Sequence, residues 1–347
     1  MLRLILFLSC LFSCQTAADV VYTGEKLKGV NLVAPPRKPE TNSLTEVKSI
    51  GGEWIAIVPY GFCRKGEARF HYFGNRKEQG RGGQWWGETP EGVAGTIQLA
   101  REQGLKVMLK PHVWMMGGSH LDLSFDSEQD WQTFEADYSQ YILDFARMAD
   151  SLHVDLYCIT TELDRFATAR PQFWKQLIGQ VRQQYKGKLT YAANWDRYEK
   201  IPFWNDLDYV GVDAYFPLSD EVQPTVKQLV KGWKRHLSDL SGFSRKTQKP
   251  ILFTEFGYRS CAFSAEKPWE SETACTPDET IQANAYTAFL ESVWPQPWFA
   301  GGFVWKWFMQ DTHRGRERDQ FSPQGKAAAQ VLQTGWQATT PVLPDKR

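Results

Sequence analysis

Eight short apolar stretches that read as β-strands alternate with helical segments along almost the whole chain, and this alternation limits the possible folds more than any other feature. Such alternation is typical of a parallel sheet whose connecting helices cover it. No stretch between the segments suggests a linker, and 42% of the 347 residues are hydrophobic, which is ample for a sizeable core. The predicted strands span residues 27–34, 54–60, 105–114, 155–163, 188–194, 208–216, 249–258 and 299–308. The main predicted helices span residues 43–50, 89–103, 127–153, 171–185, 224–240, 277–293 and 322–332.

Eight repeats favour a closed (β/α)₈ barrel, the TIM barrel, as a single domain over residues 19–347. The alternative is an open, doubly wound sheet, which would carry a glycine-rich phosphate-binding turn after a strand. The chain has no GxGxxG sequence and no GKS or GKT sequence, so the barrel is the better interpretation. In such a barrel the active site is built from the carboxyl ends of the strands and the loops that follow them.

Two of the predicted strands end in the same way, with a single glutamate on an otherwise apolar face. In residues 249–258, Glu255 shares a face with Phe253, and Glu162 has the equivalent position in residues 155–163. One such glutamate could be a cap or half of an ion pair, because a lone buried carboxylate is costly unless it is hydrogen-bonded or used. Two of them, both at strand ends, predict a site with paired carboxylates.

Polar and aromatic side chains are concentrated at the other predicted strand ends as well. Each has a structural alternative: Asn31 and Asn194 could be caps, Lys110 could pair with a structural carboxylate, and His112 could be a satisfied core histidine. Together they point to a site, because the interior layers of a barrel are mostly branched aliphatic residues. The candidate substrate-binding residues are Asn31, Trp86, Lys110, His112, Asn194, Trp195, Asp213, Tyr215, Tyr258 and Trp305.

The charge and the aromatic content limit the possible ligands. Forty basic residues balance forty acidic ones without a basic stripe, which argues against a nucleic-acid partner. No CxxC or histidine-rich spacing suggests a metal site, and no cofactor is expected. The chain has 15 tryptophans, and several lie in polar or glycine-rich loops, among them Trp85, Trp86 and Trp269. Exposed indoles of this kind favour a cleft that stacks sugar rings over a purely structural role.

Two carboxylates across a barrel mouth with aromatic surfaces around them fit glycoside hydrolysis. One carboxyl group protonates the leaving oxygen, and the other attacks the anomeric carbon or activates water. A retaining enzyme holds the two groups ~5–5.5 Å apart and an inverting enzyme roughly 6.5–9.5 Å apart. Glu162 on the fourth predicted strand and Glu255 on the seventh would face each other across the mouth.

These features resemble the clan A glycoside hydrolases, which carry glutamates at the ends of strands four and seven. In detail the chain is similar to glycoside hydrolase family 113, whose known members are mainly β-mannanases. The resemblance covers roughly residues 27–336. The segments that carry it are KGVNLVAPP, QWWGETPEGV, GLKVMLKPHVW, CITTEL, LTYAANWD, DYVGVDAYFPLSD, KPILFTEFGYRS and WFAGGFVWKW.

The resemblance implies a retaining, double-displacement hydrolase of β-1,4-mannosidic bonds in mannan-type polysaccharides. It makes Glu162 the general acid/base and Glu255 the nucleophile. Tyr215 would donate a hydrogen bond to the nucleophile, and Trp305 would lie under the sugar at the cleavage point. Most clan members have asparagine just before the acid/base, whereas this chain has Thr161, as family 113 does.

Two other functions stay open at this stage. The chain could be a retaining β-glycosidase that acts on another β-linked polysaccharide, with the same fold. It could also be a non-catalytic carbohydrate-binding lipoprotein on a degraded barrel, although such a barrel should have lost one of the two glutamates.

The N-terminus reads as an export signal over residues 1–18. Arg3 precedes the apolar residues 4–12, which are too few to span a bilayer. Leu11, Phe12, Ser13 and Cys14 resemble a bacterial lipobox, so Cys14 is the expected lipidated residue.

A rival lipidation site is Cys10, and cleavage near Ala17 and Ala18 would instead release a soluble protein. The expected location is therefore the bacterial cell envelope, by a lipid anchor in the membrane, or the medium. Of the remaining cysteines, Cys158 is predicted to be a buried thiol. Cys261 and Cys275 flank a polar loop and could form a disulfide or remain separate.

Overall fold

The computed structural model describes residues 18–72, 85–271, 273–309 and 319–338, and within them eight parallel strands close into a barrel. The barrel order is β1-β11-β10-β9-β8-β7-β5-β2, which confirms the predicted TIM barrel. The strands are β1 (Leu27–Leu32), β2 (Trp54–Ile57), β3 (Tyr60–Arg64), β4 (Phe70–His71), β5 (Lys106–Leu109), β6 (His112–Met116), β7 (Leu156–Thr161), β8 (Lys188–Asn194), β9 (Val210–Asp213), β10 (Ile251–Phe256) and β11 (Phe299–Trp307).

Helices cover the outside of the barrel, and polar side chains cap the starts of several of them. Thr89 accepts a hydrogen bond from the backbone of Gly92, and Thr225 forms a capping box with Gln228. Across the described part of the chain, no helix has the length and apolar character needed to span a membrane. The helices are α1 (Thr45–Ser49), α2 (Pro90–Glu102), α3 (Glu128–Ser151), α4 (Asp164–Ala169), α5 (Pro171–Gln184), α6 (Val226–Thr247), α7 (Glu279–Ser292) and α8 (Ala327–Ala338).

Two predicted strands are each broken in two by a proline. Residues 54–60 become β2 and β3 on either side of Pro59, and residues 105–114 become β5 and β6 on either side of Pro111. A proline has no N–H to donate, so it interrupts the hydrogen-bonded ladder. Beyond the prolines, β3 and β6 pair in parallel and form a separate sheet with β4, in the order β4-β3-β6. This small sheet follows the carboxyl ends of β2 and β5.

The core has two layers. The inner layer fills the barrel. The Phe303 ring packs so closely on Gly29 that a Cβ at that position would lie 2.3 Å from it, so only glycine fits there. The outer layer lies between strands and helices and buries many aromatic rings, including Trp174 and Trp233. Most of the tryptophan-rich composition is therefore explained by packing. The inner residues are Leu27, Trp54, Ala56, Met108, Leu156, Cys158, Ala192, Leu252, Ala300 and Phe303.

Simple strand alternation fails just before each of the two glutamates. The pairing of β10 with β9 shifts register between Phe253 and Glu255, and the pairing of β7 with β8 shifts between Cys158 and Thr161. The prediction that Phe253 and Glu255 share a face is wrong, because Phe253 packs outward against the α7 residue Phe289 while Glu255 points inward to Lys110. A bulge re-aims side chains in this way.

The structure confirms one prediction about the cysteines and decides between two alternatives for another pair. Cys158 is a buried free thiol, as expected. Cys261 and Cys275 form a disulfide with a Cα–Cα distance of 5.8 Å, which decides between the two alternatives that the sequence left open. Cys14 lies in residues 1–17, outside the described residues, so its lipidation stays a prediction.

Candidate active site

Glu255 is held at the end of β10 by two donors, one on each carboxylate oxygen. The Tyr215 hydroxyl, just after β9, donates to Oε2 at 2.6 Å. The Lys110 ammonium, just after β5, donates to Oε1 at 2.5 Å. His112 Nε2 lies 3.6 Å from the same Oε1. With both oxygens fixed and the residue 6% exposed, the orientation of the carboxylate is set before any ligand binds.

Lys110 also connects Glu255 to a second buried carboxylate. Its Nζ lies 3.3 Å from Asp213 Oδ1, which also accepts a hydrogen bond from Thr254 Oγ1 at 2.8 Å. Asp213 Oδ2 accepts from Thr161 Oγ1 at 2.7 Å. Lys110 and Asp213 are fully buried, so neither lines the cleft as a substrate contact. The structure corrects that prediction: the two residues support Glu255 from below.

This cluster, which we call the Lys110 cluster (Lys110, Asp213 and Glu255), shifts the pKa of each member. Burial raises the pKa of Glu255, and the charge of Asp213 adds to the effect while Lys110 opposes it. Burial likewise raises the pKa of Asp213. Burial would lower the pKa of Lys110, but the two carboxylates outweigh it and raise that pKa, so the ammonium keeps its charge. The Lys110 ammonium is thus the shared ion-pair partner of both carboxylates.

Neighbouring His112 is uncharged. Burial lowers the pKa of its imidazole far below the usual value, and the charge of Lys110 lowers it further. Its ring lies parallel to the indole of Trp305, with 3° between the planes and 6.1 Å between the centroids. Trp305 itself is half-buried at the end of β11. The predicted site residues His112 and Trp305 therefore lie together beside Glu255.

Glu162 follows directly after β7 in an unusual backbone conformation. Its φ is 51°, in the left-handed region that non-glycine residues rarely adopt and that is often found at functional sites. Its backbone N–H donates to Ala192 of β8 at 2.7 Å. Its side chain remains partly exposed, and its charge is one of the causes that raise the pKa of Glu255. The two glutamates are thus within electrostatic reach of each other across the mouth.

Two residues near Glu162 were missed by the sequence analysis. His120 lies in a short 3₁₀ turn after β6, and its Nε2 is 3.3 Å from Glu162 Oε2. Asp164 begins α4, accepts a hydrogen bond from Tyr191 and another from the Asn194 backbone, and burial raises its pKa to about 7. A histidine in the loop after the third strand was a usable signal for His120. Asp164 had none, because α4 was not predicted.

Two predicted substrate contacts, Asn31 and Tyr258, are buried. Asn31 is fully buried and donates to the carbonyls of Thr254 and Phe303, so it joins β1 to β10 and β11. Tyr258 is buried, and its hydroxyl donates to the carbonyl of Phe216. The structure assigns both residues to the barrel wall.

Trp86 also has a packing role. The edge of its ring lies against Gly95 of α2, where a Cβ would be 3.0 Å from the indole. The ring is half-buried against that helix, and its place in the cleft wall stays a prediction.

Asn194 and Trp195, the remaining predicted residues, line an open cavity of about 720 Å³. Ser119 and Leu121, on either side of His120, line it as well, so the cavity lies on the Glu162 side of the mouth. Across residues 18–72, 85–271, 273–309 and 319–338, no group of three or more histidine, cysteine or acidic side chains could hold a metal ion.

Comparisons with known proteins point to one family. The model of Glycoside Hydrolase Family 113 matches residues 40–326. A GH113 β-mannanase from Alicyclobacillus acidocaldarius, solved in complex with ManMIm, is 23% identical, with a TM-score of 0.75, over 91% of this chain and 98% of that one. A second solved structure, a GH113 β-1,4-mannanase, is 22% identical with a TM-score of 0.75, over 91% of this chain and all of the other.

A more distant structure shares the barrel alone. A Faecalibacterium prausnitzii β-glucuronidase is 14% identical with a TM-score of 0.58, over 91% of this chain and 49% of that one. A search among curated protein sequences found no match.

The Lys110 cluster predicts the effect of removing its cation. Lys110→Met leaves two buried carboxylates without their counter-charge, which typically costs about 3–5 kcal/mol of unfolding free energy. The loss should be larger at pH 8 than at pH 5, because lower pH protonates the stranded carboxylates. Denaturant unfolding at both pH values measures it.

The matched control is Lys188→Met, which removes an exposed lysine that pairs with Asp208 at 2.9 Å. An exposed pair is worth only about 0–1 kcal/mol. If Lys110→Met cost no more than this control, the cluster would not hold the site together.

Asp164 predicts a pH-dependent stability. Because its pKa is raised to about 7 in the folded protein, above the ordinary aspartate value, the folded state binds the proton more tightly. Its contribution to the free energy of unfolding is therefore complete below the unfolded-state pKa, and it is lost as the pH rises through about 7. The stability advantage of the wild type over Asp164→Asn should shrink between pH 4 and pH 8. A difference that stays constant across this range would contradict the assignment.

Proposed function

The chain belongs to glycoside hydrolase family 113, and from this premise we propose that it hydrolyses β-1,4-mannosidic bonds of mannan-type polysaccharides with retention of configuration. The observation that carries the proposal is the paired glutamates at the barrel mouth. Glu255 has both oxygens held by donors, and Glu162 stands within electrostatic reach with its side chain open to the cleft. The two solved family 113 structures named above, both β-mannanases, support the choice of substrate.

Glu255 is suited to act as the nucleophile. In the first step one of its oxygens forms a bond to the anomeric carbon while the bond from that carbon to the leaving oxygen breaks. Tyr215 and Lys110 fix the carboxylate so that it need not reorient before attack. Lys110 opposes the rise in the Glu255 pKa that burial causes, which favours the ionised form that attacks.

The same burial favours the intermediate. Once Glu255 is esterified to the sugar it carries no charge, so the repulsion between two buried carboxylates disappears. Lys110 then retains Asp213 as its partner, 3.3 Å away, and no buried charge is left unpaired. The cluster thus stabilises both the free carboxylate and the glycosyl-enzyme.

Glu162 is suited to act as the general acid and then the general base. It gives its proton to the leaving oxygen in the first step and takes a proton from the attacking water in the second, which releases Glu255. His120, 3.3 Å from Oε2, fixes the direction of the side chain. Trp305, half-buried beside His112, offers its indole face to the sugar at the cleavage point.

The catalytic assignment is tested by removing each carboxylate. Glu162→Gln and Glu255→Gln should fold as the wild type does and lose about 10²-fold or more in kcat on mannan, in line with the loss of an acid/base or a nucleophile. The exposed Glu199→Gln is the control and should keep full activity. Release of reducing sugar from mannan, glucomannan, xylan and β-glucan measures both activity and backbone preference.

Chemical rescue separates the two roles. An aryl mannoside with a good leaving group needs no proton, so it should partly restore Glu162→Ala. Azide should restore Glu255→Ala and give the opposite anomer of the glycosyl azide. Near wild-type turnover of either glutamine variant would refute the assignment, and hydrolysis of xylan or β-glucan but not mannan would refute the substrate.

We further propose that the protein is exported and anchored to the cell envelope through a lipidated Cys14. The support is the sequence of residues 1–18: one positive charge, a short apolar stretch, and the lipobox-like Leu11 to Cys14. Expressed in bacteria, the wild type should fractionate with membranes, and Cys14→Ala should move the enzyme to the soluble fraction. Membrane association that persists in Cys14→Ala but is lost in Cys10→Ala would place the lipid on Cys10 instead.

A further inference from the structure

Three aromatic rings form a ladder that leads outward from the barrel wall on the Glu162 side. Phe216 is buried and meets Trp195 edge-on, with ring centroids 5.8 Å apart. Trp195 is half-buried and stacks on Trp269, with centroids 5.4 Å apart and 20° between the planes. Trp269 is 44% exposed. The outer indole thus sits on a rigid aromatic support while much of its own surface faces solvent.

Trp269 belongs to a loop that is closed at its base. The Cys261–Cys275 disulfide joins the two ends of the loop, and Cys261 also forms a backbone bridge with Pro277. The Arg259 guanidinium donates to the carbonyl of Thr273 at 2.7 Å. Residue 272 of this loop lies outside the described residues. These links restrain the segment that carries Trp269, so the indole is presented to the cavity from a fixed base.

Both indoles line the 720 Å³ cavity beside Glu162, together with Asn194. Hydrogen-bonding groups from three neighbouring segments share this lining, among them Asp122, Arg197 and Lys200. A sugar ring needs such a mixture: its C–H face stacks on an aromatic surface, and its hydroxyl groups need donors and acceptors. No member of the Lys110 cluster lines the cavity, so the cavity lies to one side of Glu255.

We propose that Trp269, supported by Trp195, binds the sugar residues on the leaving-group side of the cleavage point. This inference rests on the proposed function, because it takes Glu162 as the group that protonates the leaving oxygen. The leaving-group half of the chain must then lie on the Glu162 side, where this cavity is. The ligand is a neutral β-linked chain that extends at least two sugars beyond the cleaved bond. Trp269 acts as a substrate-length determinant.

The test compares a long and a short substrate. Trp269→Ala should lower kcat/KM about ten-fold on a β-1,4-linked mannohexaose, mainly through KM, since remote binding is felt equally before and at the transition state. On an aryl mannobioside, whose only leaving group is the small aryl ring, kcat/KM should stay within about two-fold of the wild type. Trp195→Ala should show the same selective loss.

The matched control is Phe263→Ala. Phe263 is a similarly exposed aromatic residue on the same loop, but it does not line the cavity. It should leave both substrates unaffected. The double variant Cys261→Ser and Cys275→Ser should reproduce the selective loss on mannohexaose, because it frees the base of the loop.

Two results would overturn the inference. Equal losses of kcat/KM on the long and the short substrate would make Trp269 a structural cap of Trp195, and no loss on either would show that the indole does not bind the chain. Failure of the proposed function looks different, since the wild type would then hydrolyse neither mannohexaose nor the aryl mannobioside. Calorimetric binding of mannohexaose to Glu162→Gln gives a readout independent of turnover and should weaken about ten-fold on adding Trp269→Ala.

Discussion

The site depends on one buried cation. Lys110 has no exposed surface and pairs with two buried carboxylates, whose pKa values burial raises and its charge lowers. Its neighbours come from different strands: Asp213 ends β9, Glu255 lies near the end of β10, and Thr161, which donates to Asp213, ends β7. Lys110 therefore links the ends of β5, β9 and β10 directly, and Asp213 extends the link to the end of β7. A closed barrel makes this possible, because it brings the strands' carboxyl ends to one mouth.

The geometry also separates reacting groups from the groups that hold them. Glu162, His120 and Trp305 remain partly exposed, whereas Lys110 and Asp213 are fully enclosed beneath Glu255. The enclosed groups act only through the carboxylate they hold. In the proposed mechanism their main effect falls on the charge state and direction of Glu255, and the exposed groups and aromatic surfaces around them are left to bind the substrate.

Much of the fold could be predicted from the sequence because a barrel repeats one pattern eight times. The pair of glutamates at the barrel mouth could also be predicted, since carboxylates at the ends of apolar strands are costly unless they are hydrogen-bonded or used. The predicted strand boundaries and side-chain directions were wrong where a proline or a bulge interrupts the two-residue alternation of a strand. Pro59 and Pro111 split two predicted strands, and a bulge before Glu255 reverses the face assigned to it. The burial of individual side chains could not be predicted either. Asn31, Lys110 and Tyr258 lie at strand ends, as residues that line a cleft would, but all three are buried in the barrel wall. The position of His120 in the loop after the third strand was a signal, but its contact with Glu162, 42 residues away, could not be derived from the sequence.

The central claim is that Glu255 forms the covalent bond to the sugar, and trapping the intermediate tests it most directly. A 2-deoxy-2-fluoro mannosyl fluoride slows both steps of a retaining reaction but keeps a good leaving group, so the glycosyl-enzyme accumulates. Mass spectrometry of the protease-digested enzyme should find the fluorosugar on the peptide that contains Glu255, and the label should be absent from Glu255→Gln. A label on another residue, or turnover without any covalent adduct and with inversion at the anomeric carbon, would contradict the account.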